Sequence, residues 1–444
     1  MFIACTSLIE AYLPQSIQKI ERSAFEKCNS LRKVNLTDVS IICENAFSEC
    51  SSLEGIEFSS KLETVEKSAF QDCSSIKKVT LPTSLTHLEE SVFNGCTSLE
   101  SIEIPSSITD LSDDLLCRCS SLTEIKINDT VKTIGNNCFK NCSSLKEVII
   151  PSSVAQIGWH CFNNCSSLSN VSLPAGITKL ASNLFDKCTS LATIEIPSSV
   201  QTIGRNAFKK CTSLVEISIP PNVNVIEFDA FSECTSLNHI EICSPETKLE
   251  KCVFEKCTSL TEVEIPSNEI GPKLFEGCTN LTKATLTSPL LTELESIFIE
   301  CTSLKQFEIP STVHIIRSEC FKDCRSLEKI VIPSSVTEIE SGAFEGCISL
   351  TEVDLSSSSV RRIGADAFKD CRSLASITLN DSVVEIGDFA FSGTAIKEFE
   401  VPSSVEEISN NAFFLCNNLE KLRIPSSIDS SIFNLDDVEV TTFE

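Results

Sequence analysis

One tryptophan, one tyrosine, one methionine and four histidines are all that 444 residues contain of those types. The histidines, His87, His160, His239 and His314, fall far apart in the chain. They offer no clustered imidazoles for a metal or a general base. Positive charge is scarce too, with 36 Lys and Arg against 62 Asp and Glu and a formal net charge of −26. Phosphate backbones are held by gathered cations that release counterions, so nucleic acid is not an expected partner. No apolar run approaches the roughly 20 residues that cross a bilayer, and the opening "MFIACTSLIEAYLPQ" has no basic region leading into one. The sequence alone therefore predicts no transmembrane segment, leader or anchor, and a cytoplasmic protein. The phosphate-loop, dinucleotide, H-E-x-x-H and G-x-S-x-G signatures are all missing, so neither an enzyme nor a cofactor is expected.

What is present is repetition. Phenylalanine recurs at Phe2, Phe25, Phe47, Phe70, Phe93, Phe139, Phe162, Phe185, Phe208, Phe231, Phe254, Phe275, Phe298, Phe321, Phe344, Phe368, Phe391 and Phe413, with Leu116 in phase among them. The step is 23 residues almost throughout and defines nineteen units. Each reads L-x-x-I-x-I-P-S-S-V-x-x-I-x-x-x-A-F-x-x-C, as in Leu327, Ile330, Ile332, Val336, Ile339, Phe344 and Cys347. The alternating I-x-I predicts one short strand per unit. Proline follows it in twelve units and supplies no backbone donor, so it closes the strand and the serines turn the chain. The stretch around "SGAFEGC" loses the alternation and predicts a short helical or 3₁₀ turn on the opposite side. One such coil cannot cover its own apolar residues, but stacked coils cover one another. With strands about 4.8 Å apart, nineteen coils predict an elongated, curved rod on the order of 90 Å long.

The unit resembles the 23-residue leucine-rich repeat of the BspA-like proteins, over essentially the whole chain. The resemblance implies a leucine-rich repeat solenoid of about nineteen 23-residue coils, with short parallel strands on the concave face and short helical turns and loops on the convex side. It also implies a place on a cell surface, with adhesion and binding of host matrix proteins. Residues 1–425 are expected to form one continuous array and 426–444, "SSIDSSIFNLDDVEVTTFE", a C-terminal capping segment. The start at "MFIAC" falls in mid-unit and leaves the first coil without a polar cover.

Eighteen of the 25 cysteines stand three residues after the phenylalanine position, from Cys5 and Cys28 to Cys371 and Cys416, and Thr394 alone breaks the column. Stacked coils would set neighbouring Cα atoms about 5 Å apart, within disulfide range. Equivalent side chains point the same way, however, and a column of buried, small, inert side chains is the plainer expectation. Cys138, Cys161 and Cys320 replace the usual alanine and Cys43 the usual glycine. Cys117 with Cys119, or Cys138 with Cys142, could seed a zinc site, but no pair of C-x-x-C motifs at finger spacing supports one. No metal is expected. Seven N-x-[ST] acceptors, Asn35, Asn128, Asn141, Asn164, Asn170, Asn280 and Asn380, are weak signs of secretion.

Comparing units shows which positions geometry leaves free. The middle residue of I-x-I must face outward, and it is acidic at Glu57, Glu103, Glu195, Glu241, Glu264, Glu308, Asp354 and Glu400. Carboxylates stacked at this spacing repel by up to roughly 1 kcal/mol per pair in water-like surroundings. The functional expectation is an anionic track for a basic protein or glycan partner of a monomeric, noncatalytic recognition protein, either a surface adhesin or an intracellular scaffold or inhibitor. The alternative is a solvated face that keeps a long array soluble. Departures from the repeat are further candidates: the short unit with Pro272, Leu116 for phenylalanine, the longer unit with Arg361 and Arg362, and Trp159.

Overall fold

The computed structural model describes residues 2–433, 435 and 438–444. They wind into a parallel β-solenoid that divides into two compact units, Met1–Val223 and Asn224–Glu444. In each unit the I-x-I segments form the expected strands, such as Lys78–Thr80 beside Ser101–Glu103 in the first and Gln306–Glu308 beside Lys329–Val331 in the second. Their inner residues Val79, Ile102, Phe307 and Ile330 are buried. Parallel register places each residue beside its equivalent in the next coil, so the repeat itself fixes the pairing.

A second strand per coil was not expected. The V-x-x-I segment pairs with its neighbours as a two-residue strand, for example Thr64–Val65 between Ile41–Ile42 and His87–Leu88, or Glu338–Ile339 between Ile315–Ile316 and Arg362–Ile363. Two residues are too few to show alternation, and this strand exists only through its neighbours. The prolines and serines between the two strands carry more than a turn. Ser335 Oγ donates to Val313 O at 2.7 Å in the preceding coil, and Ser84, Ser153 and Ser404 make the same link.

The side opposite the long strands is a series of linked turns rather than a regular helix. Around Phe321, the N–H groups of Glu319, Phe321 and Asp323 donate to Ser341, Ala343 and Glu345 of the next coil at 2.7 to 3.0 Å, while those of Lys322 and Cys324 fold back to Glu319 and Phe321. This alternation needs left-handed residues two before and two after the phenylalanine, as at Glu319 (φ 58°) and Asp323 (φ 56°). Asn, Asp, Ser and Lys fill most of these positions, and glycine does so at Gly342 and Gly346. The sole 3₁₀ helix among the described residues is Ser430–Ile432.

Inside the turns the rings stack. In the first unit they run from Phe2 to Phe93 and from Phe139 to Phe208, interrupted where Leu116 fills the same buried place. In the second they run without a break from Phe231 to Phe413. Centroids lie 5.2 Å apart in the tightest pairs and 6.0 Å at Phe275–Phe298 beside the short unit. That unit loses its residues from the second strand. Its long strand Glu262–Ile265 still pairs with Lys283–Leu286, whereas the second ladder is reduced to a single bridge, Leu249 to Ile270.

All 25 cysteines are free thiols, and 23 are buried, with Cys5 and Cys243 exposed. The column is more than filler. Cys324 Sγ donates to Phe298 O at 3.1 Å, Cys347 Sγ to Phe321 O at 3.1 Å and Cys371 Sγ to Phe344 O at 3.2 Å, always one coil back. Each of these phenylalanine carbonyls thus accepts an N–H from its own coil and an S–H from the next. A buried carbonyl has two lone pairs to satisfy, and cysteine is the small apolar side chain that carries a donor. Thr394 keeps a hydroxyl at this position, 3.4 Å from Cys416 Sγ.

The strand Glu439–Phe443 pairs in parallel with Lys421–Pro425 and extends the last long-strand ladder. Asn434, Asp436 and Asp437, from the stretch read as a C-terminal cover, lie outside the described residues, as does Met1.

Candidate functional site

The outward residues of the long strands form the candidate surface. All eight carboxylates picked out from the sequence are exposed. In the first unit Glu57 lies opposite Asn35, and Glu103 sits between Thr80 and Lys126, whose Nζ approaches it at 2.7 Å. Glu195 stands apart from both, in a coil whose residues 191–197 form no strand. The second unit brings five together. Glu241 and Glu264 occupy neighbouring strands, Glu264 faces Thr285, Glu308 faces Val331, Asp354 lies between Val331 and Thr378, and Glu400 meets Arg423 at 2.6 Å. Hydrogen bonds from Ser356, its side chain foremost and then its N–H at 2.8 Å, hold the Asp354 carboxyl below the usual aspartate range.

Reading one column missed its neighbour. The pleat puts residues two apart on the same face, so the position before the first buried residue of each strand also points outward. In the second unit that column holds Glu262, Lys283, Lys329, Glu352, Glu398 and Lys421, three carboxylates and three lysines, all exposed. Register sets Glu262 against Lys283, Lys329 against Glu352 and Glu398 against Lys421. The face is therefore a mainly acidic stripe beside a stripe of mixed sign, and the same period-two reading of the sequence would have found it.

Other candidates turn out to support the stack. Arg362, from the longer unit, lies between Glu338 and Glu385 in the second ladder, at 2.9 and 2.7 Å. Arg317 likewise joins Glu293 to Glu340. Arg362→Glu would set four carboxylates in register from Glu338 to Glu407. The pairs are half exposed, so the expected destabilisation is about 1 kcal/mol at low salt. Denaturant midpoints should show the gap closing toward about 0.5 M NaCl. Asn380 is buried and donates to Leu355 O and Ser358 Oγ, while Asn128 bonds Ile104 O and Pro105 O, so these two glycan acceptors serve as coil-to-coil links.

Ligand-type atoms of Asp229, Cys252 and Glu255 come within 4.8 Å of one another, the sole such grouping among the described residues. Lys256 Nζ holds Glu255 at 2.7 Å, and burial pushes the Cys252 thiol up to about 11. The histidines remain dispersed. Among the described residues no helix is long and apolar enough to cross a membrane.

A stack of parallel coils, most of them with buried Phe, Cys and Leu at near-constant spacing, matches the family model for BspA type leucine-rich repeat regions in overlapping segments, residues 1–123, 37–146, 116–238, 228–351 and 337–439. The chain belongs to this family. Among solved structures this BspA-type chain is similar to a leucine-rich cell surface protein from Faecalibacterium prausnitzii, at 31% identity over 62% of this chain and 86% of that one, with a TM-score of 0.44. A leucine-rich repeat protein from Bacteroides ovatus matches at 23% identity over 99% and 85%, with a TM-score of 0.44. The pneumococcal vaccine antigen PcpA matches at 14% identity over 98% and 89%, with a TM-score of 0.41. Among curated proteins none matches the chain. Family membership supports a repeat protein with a binding role.

Proposed function

We propose that the chain is a noncatalytic recognition solenoid of the surface-adhesin kind, which captures a basic protein on the outward face of its long strands. The observation that carries this reading is the exposed acidic stripe of the second unit, Glu241, Glu264, Glu308, Asp354 and Glu400. Of its nine outward positions five are carboxylates and Arg423 alone is basic, with Glu241 and Glu264 on adjoining strands, whereas the neighbouring column balances three carboxylates with three lysines. Glu57, Glu103 and Glu195 extend the same chemistry on the first unit. The wide, shallow face suits a protein partner steered by charge more than a small molecule, which would call for an enclosed pocket. Residues 426–444 serve as the cover of the last coil, a reading supported by the Glu439–Phe443 pairing. An intracellular scaffold that clasps a basic protein would use the same stripe, and the free, buried thiols suit a reducing compartment.

Binding of poly-lysine to the full chain at about 50 mM NaCl tests the proposal. Replacing Glu241, Glu264 and Glu308 together by Lys is expected to weaken binding at least roughly tenfold and to flatten its salt dependence. Equal affinity and an equal salt slope would refute it.

A further inference from the structure

The turn face of the second unit breaks a rule that the earlier coils keep. Four residues after the phenylalanine position, thirteen of the first fourteen units carry Ser or Thr. The hydroxyl bonds the coil before it, as from Ser74 to Ser51 O at 3.3 Å, Thr189 to Ser166 O at 3.2 Å and Thr302 to Thr279 O at 3.2 Å. In the last five units the same position holds Arg325, Ile348, Arg372, Ala395 and Asn417. Ile348 and Ala395 have no donor for that link, and the two arginines turn instead to Asp323 and Asp370, at 3.1 Å in each case. The left-handed places change as well. Phe389 (φ 53°) and Leu415 (φ 58°) are the sole Phe and Leu with that backbone among the described residues, where Asn, Asp, Lys or glycine is usual. Phe414 and Leu415 stand 51% and 59% exposed, and the half-buried Phe389 ring meets Phe414 edge-on at 5.6 Å. Exposed apolar bulk and left-handed strain both work against stability, and together in one place they mark a surface kept for contact.

The altered positions adjoin. Gly346 N–H donates to Lys369 O, Asp370 N–H to Ser392 O and Gly393 N–H to Phe414 O, at 2.8 to 3.0 Å, so these turns are direct neighbours. Asp323, Arg325, Ile348 and Arg372 line a cleft of about 280 Å³, Phe389, Phe414 and Leu415 line one of about 260 Å³, and Asp370 borders both. The charged side chains of the two clefts are Arg325, Lys369 and Arg372 against Asp323, Glu345 and Asp370. They sum to zero, in a chain whose net charge is −26.

We propose that this turn face is where two copies of the chain meet, in an isologous contact made by Phe389, Phe414 and Leu415 together with the two Arg–Asp pairs. Charge selects the occupant. An acidic partner is repelled by the chain as a whole, and a basic one is drawn to the carboxylate stripe on the opposite side of the coils. A second copy, equally acidic, can approach where local charge balances. A patch that carries both signs also complements itself under a two-fold axis, each arginine finding a carboxylate of the other copy. Aromatic rings and arginine are enriched in protein interfaces and serine is depleted, which is the change these last coils show.

The test is the mass of the full chain in solution, by sedimentation equilibrium at about 50 µM with reductant present, because Cys5 and Cys243 are exposed thiols. A dimer is expected. Phe414→Ser combined with Leu415→Asn should weaken it about tenfold or more at any salt concentration. Asparagine takes the left-handed backbone at Leu415 more readily than leucine does, so circular dichroism should show the fold kept. Arg325→Glu combined with Arg372→Glu turns the balanced patch acidic. That variant should weaken the dimer by a similar factor at about 50 mM NaCl and by much less at about 0.5 M. A single species of monomer mass, as the sequence alone leads one to expect, overturns the proposal, and so does a dimer that either variant leaves unchanged. Replacing Glu241, Glu264 and Glu308 by Lys should leave the mass as it is. A dimer lost in that variant alone puts the contact on the stripe and overturns the proposal as well.

Discussion

Between roughly pH 9 and pH 10 the protein should unfold. In the dry interior, burial raises the thiols of Cys165 and Cys278 to about 12 and carries those of Cys142, Cys188, Cys324 and Cys347 well above their ordinary value of 9.0. A folded chain therefore keeps these protons at pH 10, while the unfolded chain has released most of them. The unfolded state binds fewer protons, so stability is full below pH 9 and falls as pH rises toward the folded values. At pH 10, one unit above the ordinary thiol value, each such thiol favours unfolding by about 1 kcal/mol, so several together approach the stability of a typical domain. Circular dichroism against pH should show a steep, cooperative loss, and absorbance of thiolate should appear with it. Thiols that titrated gradually with the fold intact would mean that the column is wet.

Phe344→Ala should be the most damaging single truncation of the second unit, at about 3–5 kcal/mol. The ring is fully buried, and it lies 5.2 Å from both Phe321 and Phe368 with interplanar angles of 3° and 2°. Removing it opens a cavity between two rings that cannot close without shortening the stack. Phe344→Leu should cost well under half as much, because Leu116 already fills the equivalent place in the first unit. Repeat arrays fail locally, so hydrogen exchange should report the loss around coils 321–368 first, while Trp159 fluorescence stays unchanged. An alanine variant within about 1 kcal/mol of the parent would show that the ring column does not bear on stability.

Much of this arrangement was legible beforehand, because a repeat supplies its own comparison. Ile330, Ile332, Phe344 and Cys347 recur in phase, and phase alone put them inside. The second strand was not legible, since Glu338–Ile339 has no pattern of its own and gains strand geometry only from its neighbours. The helical expectation for the turn failed for a related reason: Ala, Glu and Phe suit a helix locally, but Glu319 and Asp323 take left-handed backbone because coil-to-coil bonds reward it. Of the candidate surface, exposure of the eight carboxylates followed from alternation. Their partial pairing with Lys126 and Arg423 did not, because it depends on which coils adjoin.

The bond from the column thiols to the carbonyl of the phenylalanine position one coil back has a consequence for how such a gene can change. Every donor is addressed to an atom that recurs in all the other windings. A complete winding added or lost leaves each remaining group with an equivalent recipient, so duplication and deletion in whole multiples of the period are nearly silent to the interior. A change of a few residues must instead be absorbed locally in one winding, as the short unit absorbs it between Leu249 and Ile270.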